Sequence, residues 1–212
     1  MTGLMLPAGD VDLEGELLEP AGARAAVVFA HGSGSGRRSP RNRQVAAALN
    51  GDGFATLLFD LLTPEEEIAE LHTAHLRFNI PMLAGRLARV VAWLRAERPE
   101  LVVGLFGAST GAAAALVAAA ERPDDVAAVV SRGGRPDLAA QALDAVRAPT
   151  LLIVGERDPE VLALNRRALE RMGGAGHELT VVPNATHLFE EPGALEEVAR
   201  LSSEWFGNNL VE

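Results

Sequence analysis

The chain has 212 residues, of which 48% are hydrophobic and 23% charged, a composition that suits one globular domain over residues 1–212. It has no Cys, and all of its 19 basic residues are Arg, which excludes thiol nucleophiles, thiolate zinc sites, Schiff bases and phosphate-loop lysines. Its net charge of −10 would repel polyanions, so we expect neither nucleic acid nor a membrane surface as a partner.

The longest apolar run covers residues 112–120, which is well short of the roughly 18 residues that a membrane span needs. The first ten residues lack the basic region and the apolar stretch of a secretory signal. We therefore expect a cytoplasmic protein, either a monomer or a small homo-oligomer.

The first predicted strands lie near residues 4–6 and at residues 11–18. Residues 11–18 alternate apolar and polar side chains, as a half-exposed strand does, and the turn-forming residues 7–10 predict an antiparallel pair. Later apolar runs are continuous, which is typical of strands that are covered on both faces. These runs are residues 25–30, 54–59, 101–106, 126–130, 150–154 and 178–182.

Predicted helices separate these runs. Residues 61–79 are the least regular stretch, although Thr63 and Pro64 indicate a helix start and the three Glu that follow suit a helix dipole better than a metal ion. Apolar residues recur at helical spacing over residues 80–94 and 195–205. This alternation predicts an α/β fold with a mostly parallel, doubly wound sheet, antiparallel N-terminal strands and helices on both faces. Ligands of such sheets bind at the carboxyl ends of the strands.

A nucleophile elbow is predicted at residues 107–111, whose sequence is Gly-Ala-Ser-Thr-Gly. The pattern Gly-x-Ser-x-Gly follows a strand and precedes a helix-forming run at residues 112–116, which is the setting that this turn requires. Its small residues let backbone segments approach closely while Ser109 is held in a strained conformation with its hydroxyl exposed. We therefore interpret Ser109 as a nucleophile rather than as part of a plain glycine-lined turn.

A serine nucleophile needs a base and a carboxylate that orients the base. Asp158 follows the strand at residues 150–154 and His187 follows the strand at residues 178–182, so both lie in loops at strand ends. The order Ser109, Asp158, His187 is that of the catalytic triad on α/β-hydrolase sheets. The alternatives are Glu156 as the carboxylate, Asp158 as a helix N-cap, and His187 as a loop residue without a role.

The tetrahedral intermediate of acyl transfer needs amide donors for its oxyanion. Thr110, which follows the nucleophile, is one predicted donor, and the loop at residues 31–36 supplies the other. In that loop we choose the Ser33 amide, with Gly34 as the alternative. We interpret His31 as a structural histidine that holds the loop.

Over essentially its whole length, the sequence resembles the α/β-hydrolase superfamily and, within it, the dienelactone hydrolase-like family. The resemblance rests on His-Gly-Ser-Gly at residues 31–34, the elbow at 107–111, Gly-Glu-Arg-Asp at 155–158 and Asn-Ala-Thr-His at 184–187. It implies hydrolysis of an ester or lactone through an acyl-enzyme, without a metal or cofactor. The members that cleave dienelactone use a cysteine nucleophile, whereas this chain has Ser109.

The loops and arginines around the predicted site bear on the substrate. Only residues 131–148 separate two strands where other α/β-hydrolases insert a cap, so we expect no cap domain and a site that is open or covered by residues 61–79. We assign Arg37, beyond the oxyanion loop, and Arg132, after the strand at residues 126–130, to substrate binding. An anionic substrate group would suit them, whereas pairing with some of the 29 acidic residues is the alternative.

The predicted function is that of a serine hydrolase acting on a small carboxylic ester or lactone. One alternative is a non-catalytic protein that binds a small molecule on the same fold. Another is a dinucleotide-binding protein, because Gly32 and Gly34 follow one strand and Asp60 ends the next. The spacing is unfavourable for that alternative, since the third glycine of its motif would stand at Arg37 or Ser39.

Overall fold

A computed structural model describes residues 2–73, 75–173 and 176–211 of the chain. The strands in this part are β1 (Thr2–Pro7), β2 (Asp12–Leu18), β3 (Ala25–Ala30), β4 (Ala55–Phe59), β5 (Val102–Ala108), β6 (Ala128–Arg132), β7 (Thr150–Gly155) and β8 (His177–Val182). They form one sheet in the order β1-β2-β4-β3-β5-β6-β7-β8. β2 pairs antiparallel with β1 and β4, and the other pairs are parallel.

Most of the continuous apolar runs are strands buried on both faces, as predicted. The prediction is wrong for the run at residues 178–182, because β8 lies at the edge of the sheet and is mostly half-buried or exposed. β3, β4, β6 and β7 are buried at every residue. β2, by contrast, is only partly buried, in keeping with its mixed apolar and polar sequence. The predicted α/β class, the mostly parallel sheet and the antiparallel N-terminal strands are therefore confirmed.

Helices cover both faces of the sheet. They are α1 (Pro40–Gly51), α2 (Pro64–Thr73), α3 (Ile80–Glu97), α4 (Thr110–Glu121), α5 (Pro159–Arg171) and α6 (Ala194–Leu210). α3 and α4 bury Leu87 and Leu116 in the core on one face, whereas α1 and α6 bury Leu49 and Phe206 in the core on the other. In the described residues, no helix combines the length and the apolar character needed to cross a bilayer.

The segment at residues 61–79 is more regular than its sequence predicts, because it contains α2 and a 3-10 turn at Leu76–Phe78. The predicted helix start is confirmed. The hydroxyl of Thr63 accepts the amide of Glu66 at 3.3 Å, and the carboxylate of Glu66 accepts the amide of Thr63 at 2.9 Å. This reciprocal pair is a capping box, and Glu66 also bonds the guanidinium of Arg86.

The sheet brings six strand ends together at one edge. β3 lies between β4 and β5, so the direction in which the chain crosses the sheet reverses at β3. Ligands of open α/β sheets bind at such a reversal, beyond the carboxyl ends of the strands. The loops that follow β3, β4, β5, β6, β7 and β8 all begin at this edge.

Gly111 controls how closely α4 approaches the end of β3. A Cβ atom on Gly111 would lie 2.2 Å from the carbonyl oxygen of Ala30 and 2.4 Å from that of His31. Because backbone cannot move aside as a flexible side chain can, we expect Gly111→Ala to lower the free energy of unfolding by about 1–3 kcal/mol. Urea denaturation would measure the loss.

Gly85 in α3 supplies the matched control, since nothing lies within 4 Å of a Cβ atom added there. Gly85→Ala should raise the free energy of unfolding by about 1 kcal/mol, because Ala is the better helix former. A Gly111→Ala protein as stable as the wild type would contradict the close approach of α4.

Candidate active site

Ser109 sits in a strained turn between β5 and α4. Its φ of 52° and ψ of −119° lie in a region that residues with side chains rarely adopt. A Cβ atom on Gly107 would lie 2.4 Å from the Cα atom of Ala112, so this neighbour of the turn must also be small. Ser109 directly follows the last residue of β5, so it lies at the carboxyl edge of the sheet, and it is partly exposed there.

Hydrogen bonds connect Ser109, His187 and Asp158. The Nδ1 atom of His187 lies 2.6 Å from the Oδ2 atom of Asp158, and its Nε2 atom lies 3.4 Å from the Oγ atom of Ser109. With the ring proton on Nδ1, the imidazole donates to the carboxylate and Nε2 is free to accept from the serine hydroxyl. This is the arrangement by which a histidine removes a proton from a serine.

The hydrogen-bond partners of Asp158 and Glu156 distinguish the two candidates for the carboxylate beside His187. Asp158 occupies the N-cap position of α5, but its side chain makes no capping hydrogen bond there and contacts His187 instead. Glu156 accepts the backbone amide of Asn184 at 2.8 Å, which commits it to the loop that carries His187. Asp158 is therefore the carboxylate that the structure brings to the histidine.

The loops that carry Asp158 and His187 are packed against each other. The amide of Arg157 donates to the carbonyl of Ala185 at 2.9 Å. A Cβ atom on Gly155 would lie 2.3 Å from that same carbonyl oxygen, so only glycine allows the approach. Asn184 turns the chain in a left-handed conformation, with a φ of 59°. These contacts hold the imidazole at a defined distance from the carboxylate.

The predicted oxyanion donors lie side by side, but one of them already has an acceptor. The amide of Ser33 donates to the hydroxyl of Thr110 at 2.8 Å. Thr110 is the first residue of α4, so its own amide has no carbonyl one turn earlier within the helix to bond. An oxyanion at this position would take the Thr110 amide directly and would share or replace the hydroxyl as the acceptor for Ser33.

His31 holds the loop after β3 in place, as predicted. Its Nε2 atom accepts the amide of Leu61 at 2.9 Å, and its Nδ1 atom lies 3.0 Å from the carbonyl oxygen of Gly32. Burial is the main cause that lowers the pKa of His31, against smaller opposing effects of Gly32 and Asp60. The neutral ring therefore connects the end of β3 to the end of β4.

Two pockets of about 240 Å³ each flank Ser109 and His187. The first, which we call the α5 pocket, is lined by Ser109, Arg135, Asp158, Glu160, Val161, Leu164 and His187. The second, which we call the α1 pocket, is lined by Gly32, Ser33, Ser35, Ser39, Arg41, Asn42, Ala108, Ser109, Arg132, His187 and Leu188. Among the described residues, none from 61–79 lines either pocket, although Arg77 lies 3.9 Å from the position of a Cβ atom on Gly34.

The structure separates the two arginines that we assigned to the substrate. Arg132 lines the α1 pocket, next to the triad. Arg37 instead forms ion pairs with Asp60 and Glu14, and its amide donates to Asp60 at 2.6 Å. Its charge is thus balanced outside both pockets, which corrects its assignment to substrate binding. The same contacts occupy Asp60, the acidic residue that a dinucleotide site would have required.

The polar residues that sequence reasoning did not assign are mainly those on α1. Ser39 caps this helix by accepting the amide of Asn42 at 3.4 Å, and Arg41 stands in its first turn. The sequence signal for Ser39 is the Ser-Pro pair at residues 39–40, which marks a helix start, and the signal for Arg41 is the group of four arginines within residues 37–43, just beyond the oxyanion loop. Across the described ranges, no three His, Asp or Glu side chains are grouped in a way that could hold a metal ion.

Stability should depend on pH through His31. Its pKa in the folded protein lies below the ordinary value of 6.5, so its contribution to stability is complete above pH 6.5 and is lost as the pH falls toward the folded-state pKa. His31→Gln keeps an acceptor for the Leu61 amide but cannot titrate. We expect the wild type to lose more thermal stability than His31→Gln between pH 7 and pH 5. Equal losses would show that His31 is not the group that titrates.

Both the sequence and the fold match those of known proteins. A family model described as an alpha/beta hydrolase domain matches residues 23–199. The chain is 57% identical to a dienelactone hydrolase from Anabaena variabilis, and the two structures superimpose with a TM-score of 0.96 over 99% of this chain and 97% of that one. Est1E from Butyrivibrio proteoclasticus is only 16% identical but shares the fold, with a TM-score of 0.80 over 98% of each chain.

A curated relative from Mycobacterium tuberculosis is 59% identical over 206 residues and has the provisional name of a phosphoribosyl transferase. The match covers 96% of this chain but 45% of the relative, so the chain spans a little under half of that protein's length. On the family match and on the identity to the Anabaena enzyme over nearly all of both chains, the protein belongs to the α/β-hydrolase superfamily and to its dienelactone hydrolase-like family.

Proposed function

We propose that the protein is a serine hydrolase that cleaves a small carboxylic ester or lactone through an acyl-enzyme. The observation that carries the proposal is the chain of hydrogen bonds from Ser109 through His187 to Asp158, at a strained turn on the carboxyl edge of the sheet. The arrangement meets the needs of a serine nucleophile, which is weak until a base takes its proton.

In the first half of the reaction, the Oγ atom of Ser109 attacks the ester carbonyl while the Nε2 atom of His187 takes the hydroxyl proton. Asp158 stabilises the imidazolium that forms. The amides of Thr110 and Ser33 donate hydrogen bonds to the carbonyl oxygen as negative charge develops on it. The intermediate then collapses, His187 gives its proton to the departing alkoxide, and an alcohol leaves the acyl-enzyme.

In the second half, water repeats the same steps. His187 takes a proton from the water as its oxygen attacks the acyl carbon, and then returns that proton to Ser109 as the carboxylic acid is released. With a lactone, the alcohol and the acid are parts of one molecule, so a hydroxy acid is the single product. Neither half of the reaction requires a group that this chain lacks.

The relatives bear on the proposal in different ways. The Anabaena protein is described as a dienelactone hydrolase and matches this chain over nearly its whole length, which supports cleavage of an ester or lactone bond. The mycobacterial name belongs to a protein more than twice as long as the part that this chain matches. The geometry of the site supports hydrolysis, and we propose no transferase activity for this chain.

Labelling of Ser109 is the direct test. A fluorophosphonate should add once to the wild type and to Ser203→Ala, a control on α6, and should not add to Ser109→Ala. Intact-protein mass spectrometry would detect the adduct without knowledge of the substrate. Ser109→Ala should also lose turnover of short-chain esters and lactones by several orders of magnitude. Failure of the folded wild type to react would favour a binding protein without catalytic activity.

Thr110 should influence the reaction through Ser33. Thr110→Val keeps the shape of the side chain and the backbone amide but removes the acceptor that holds the Ser33 amide at 2.8 Å. We expect the rate of Ser109 labelling to fall about tenfold, because one oxyanion donor loses its position. Thr110→Ser, which restores the hydroxyl, should recover most of the rate. An unchanged rate in Thr110→Val would show that this hydrogen bond does not position the donor.

A further inference from the structure

The residues that line the α1 pocket include three with polar atoms that no group in the described part of the chain satisfies. Among the described residues, Arg132 Nη1, Arg41 Nε and Asn42 Oδ1 are buried and have no hydrogen-bond partner. All three residues line the same pocket, together with Ser109 and His187. Buried polar groups are normally paired, so unpaired atoms on three residues that line one pocket beside Ser109 point to a ligand that this pocket binds.

Arg132 is the strongest of these observations. It is the last residue of β6, it is 8% exposed, and its side chain is absent from the ion pairs formed within the described residues. Burial and the charge of nearby Arg41 lower its pKa to about 10, so the guanidinium stays charged at neutral pH. A buried charge without a counter-ion is unfavourable, and an anion in the pocket would remove that cost.

Other groups add positive potential to the same pocket. Arg41 bonds Glu190 at 3.0 Å through Nη1, but its Nε atom has no partner. The amino end of α1 also lies here, and its first turn contains no acidic residue. Helix amino ends carry a partial positive charge. Two guanidinium groups and a helix end therefore add positive charge here, and in the described residues the only carboxylate paired with either guanidinium is that of Glu190, which is exposed.

The α5 pocket has no such excess. Its arginine, Arg135, forms two hydrogen bonds of 2.8 Å with the carboxylate of Asp137, so that charge is already balanced. Glu160 and Asp158 also line this pocket. The two sides of Ser109 thus differ in charge, and the positive side is that of α1.

We propose that the α1 pocket binds a phosphate monoester group of the substrate, with Arg132 and Arg41 as its ligands. The inference rests on the proposed hydrolase function, because it names the class of ester that the same site would take. Arg132 has no counter-ion among the described residues, and Arg41 pairs only with the exposed carboxylate of Glu190, so the pocket keeps a positive excess that a phosphate would neutralise. Its tetrahedral oxygens also suit donors that converge from β6, from α1 and from the hydroxyl of Ser35 in the loop after β3.

The position of the pocket restricts the substrate further. Because Ser109 and His187 line the pocket as well, the phosphate and the ester carbonyl would lie only a few bonds apart in one molecule. A volume of about 240 Å³ accommodates a phosphate with a short linker rather than a nucleotide. The unpaired oxygen of Asn42 could accept a hydroxyl of the same ligand. The expected substrates are therefore small phosphorylated esters.

Binding of inorganic phosphate tests the pocket independently of catalysis. Phosphate should raise the melting temperature of the wild type and of Arg98→Met, a control whose arginine pairs with Glu19 on the surface, but not that of Arg132→Met. Acetate at the same ionic strength should have a smaller effect. Equal responses to phosphate in Arg132→Met and in the wild type would overturn the proposal. So would the absence of any phosphate response in the wild type, a result that does not depend on the folding of the variant.

Turnover tests the substrate class. 2-Acetoxyethyl phosphate and ethyl phosphoglycolate carry the phosphate in the alcohol half and in the acyl half, and their neutral counterparts are 2-methoxyethyl acetate and ethyl methoxyacetate. For at least one pair, the wild type should show a kcat/KM about tenfold higher for the phosphate ester, and Arg132→Met should lose this preference. A wild type that prefers both neutral esters would overturn the assignment, as would a stronger preference for 3-acetoxypropanoate, which carries a carboxylate.

The two proposals fail in different ways. If fluorophosphonate does not label Ser109 but phosphate binding depends on Arg132, the hydrolase proposal fails and the anion site stands. If Ser109 is labelled and neutral esters are cleaved without any effect of phosphate, the hydrolase proposal stands and the anion site fails.

Discussion

At Ser109 the chain leaves β5 and enters α4 through a left-handed turn, and the positions of the other groups in the site depend on that turn. The turn brings α4 so close to the end of β3 that only glycine fits at residue 111. The same approach places Thr110 against the loop after β3, where its hydroxyl accepts the amide of Ser33. A conformation this unfavourable persists only where its surroundings hold it, and here buried strands and a buried helix lie on either side.

The charge of the protein is distributed in a way that its composition does not reveal. Acidic residues outnumber basic ones, 29 to 19, so a supply of carboxylates is available to pair with every arginine. Arg37 and Arg135 are paired in this way, whereas Arg132 is buried beside the nucleophile and has no acidic partner within the part of the chain that the structure describes. Carboxylates are therefore not in short supply, and Arg132 is unpaired among the described residues because of its position in the pocket.

Most of the fold could be predicted because burial on both faces leaves a strong pattern in the sequence. The runs that became β3 and β7 contain no charged residue, and their bounds agree with the prediction to within one residue. The segment at residues 61–79 was harder to predict, since α2 is rich in charged residues and has no continuous apolar stretch. The helix is held at its amino end by the capping pair of Thr63 and Glu66. From the sequence, only the position where the helix starts could be predicted.

The sequence by itself determined which chemistry is available: a serine in a glycine-flanked elbow, an aspartate and a histidine after later strands, and no thiol or amine nucleophile. Parallel strands end at one edge of a sheet, so residues that follow strands are brought together whatever the details of packing. Only the tertiary structure decided which polar groups pair with each other. Arg37 is 23 residues from Asp60, and the amide of Ser33 is 77 residues from the hydroxyl of Thr110. Such pairs depend on distances of a few ångströms between segments remote in the chain, and no local pattern encodes those distances.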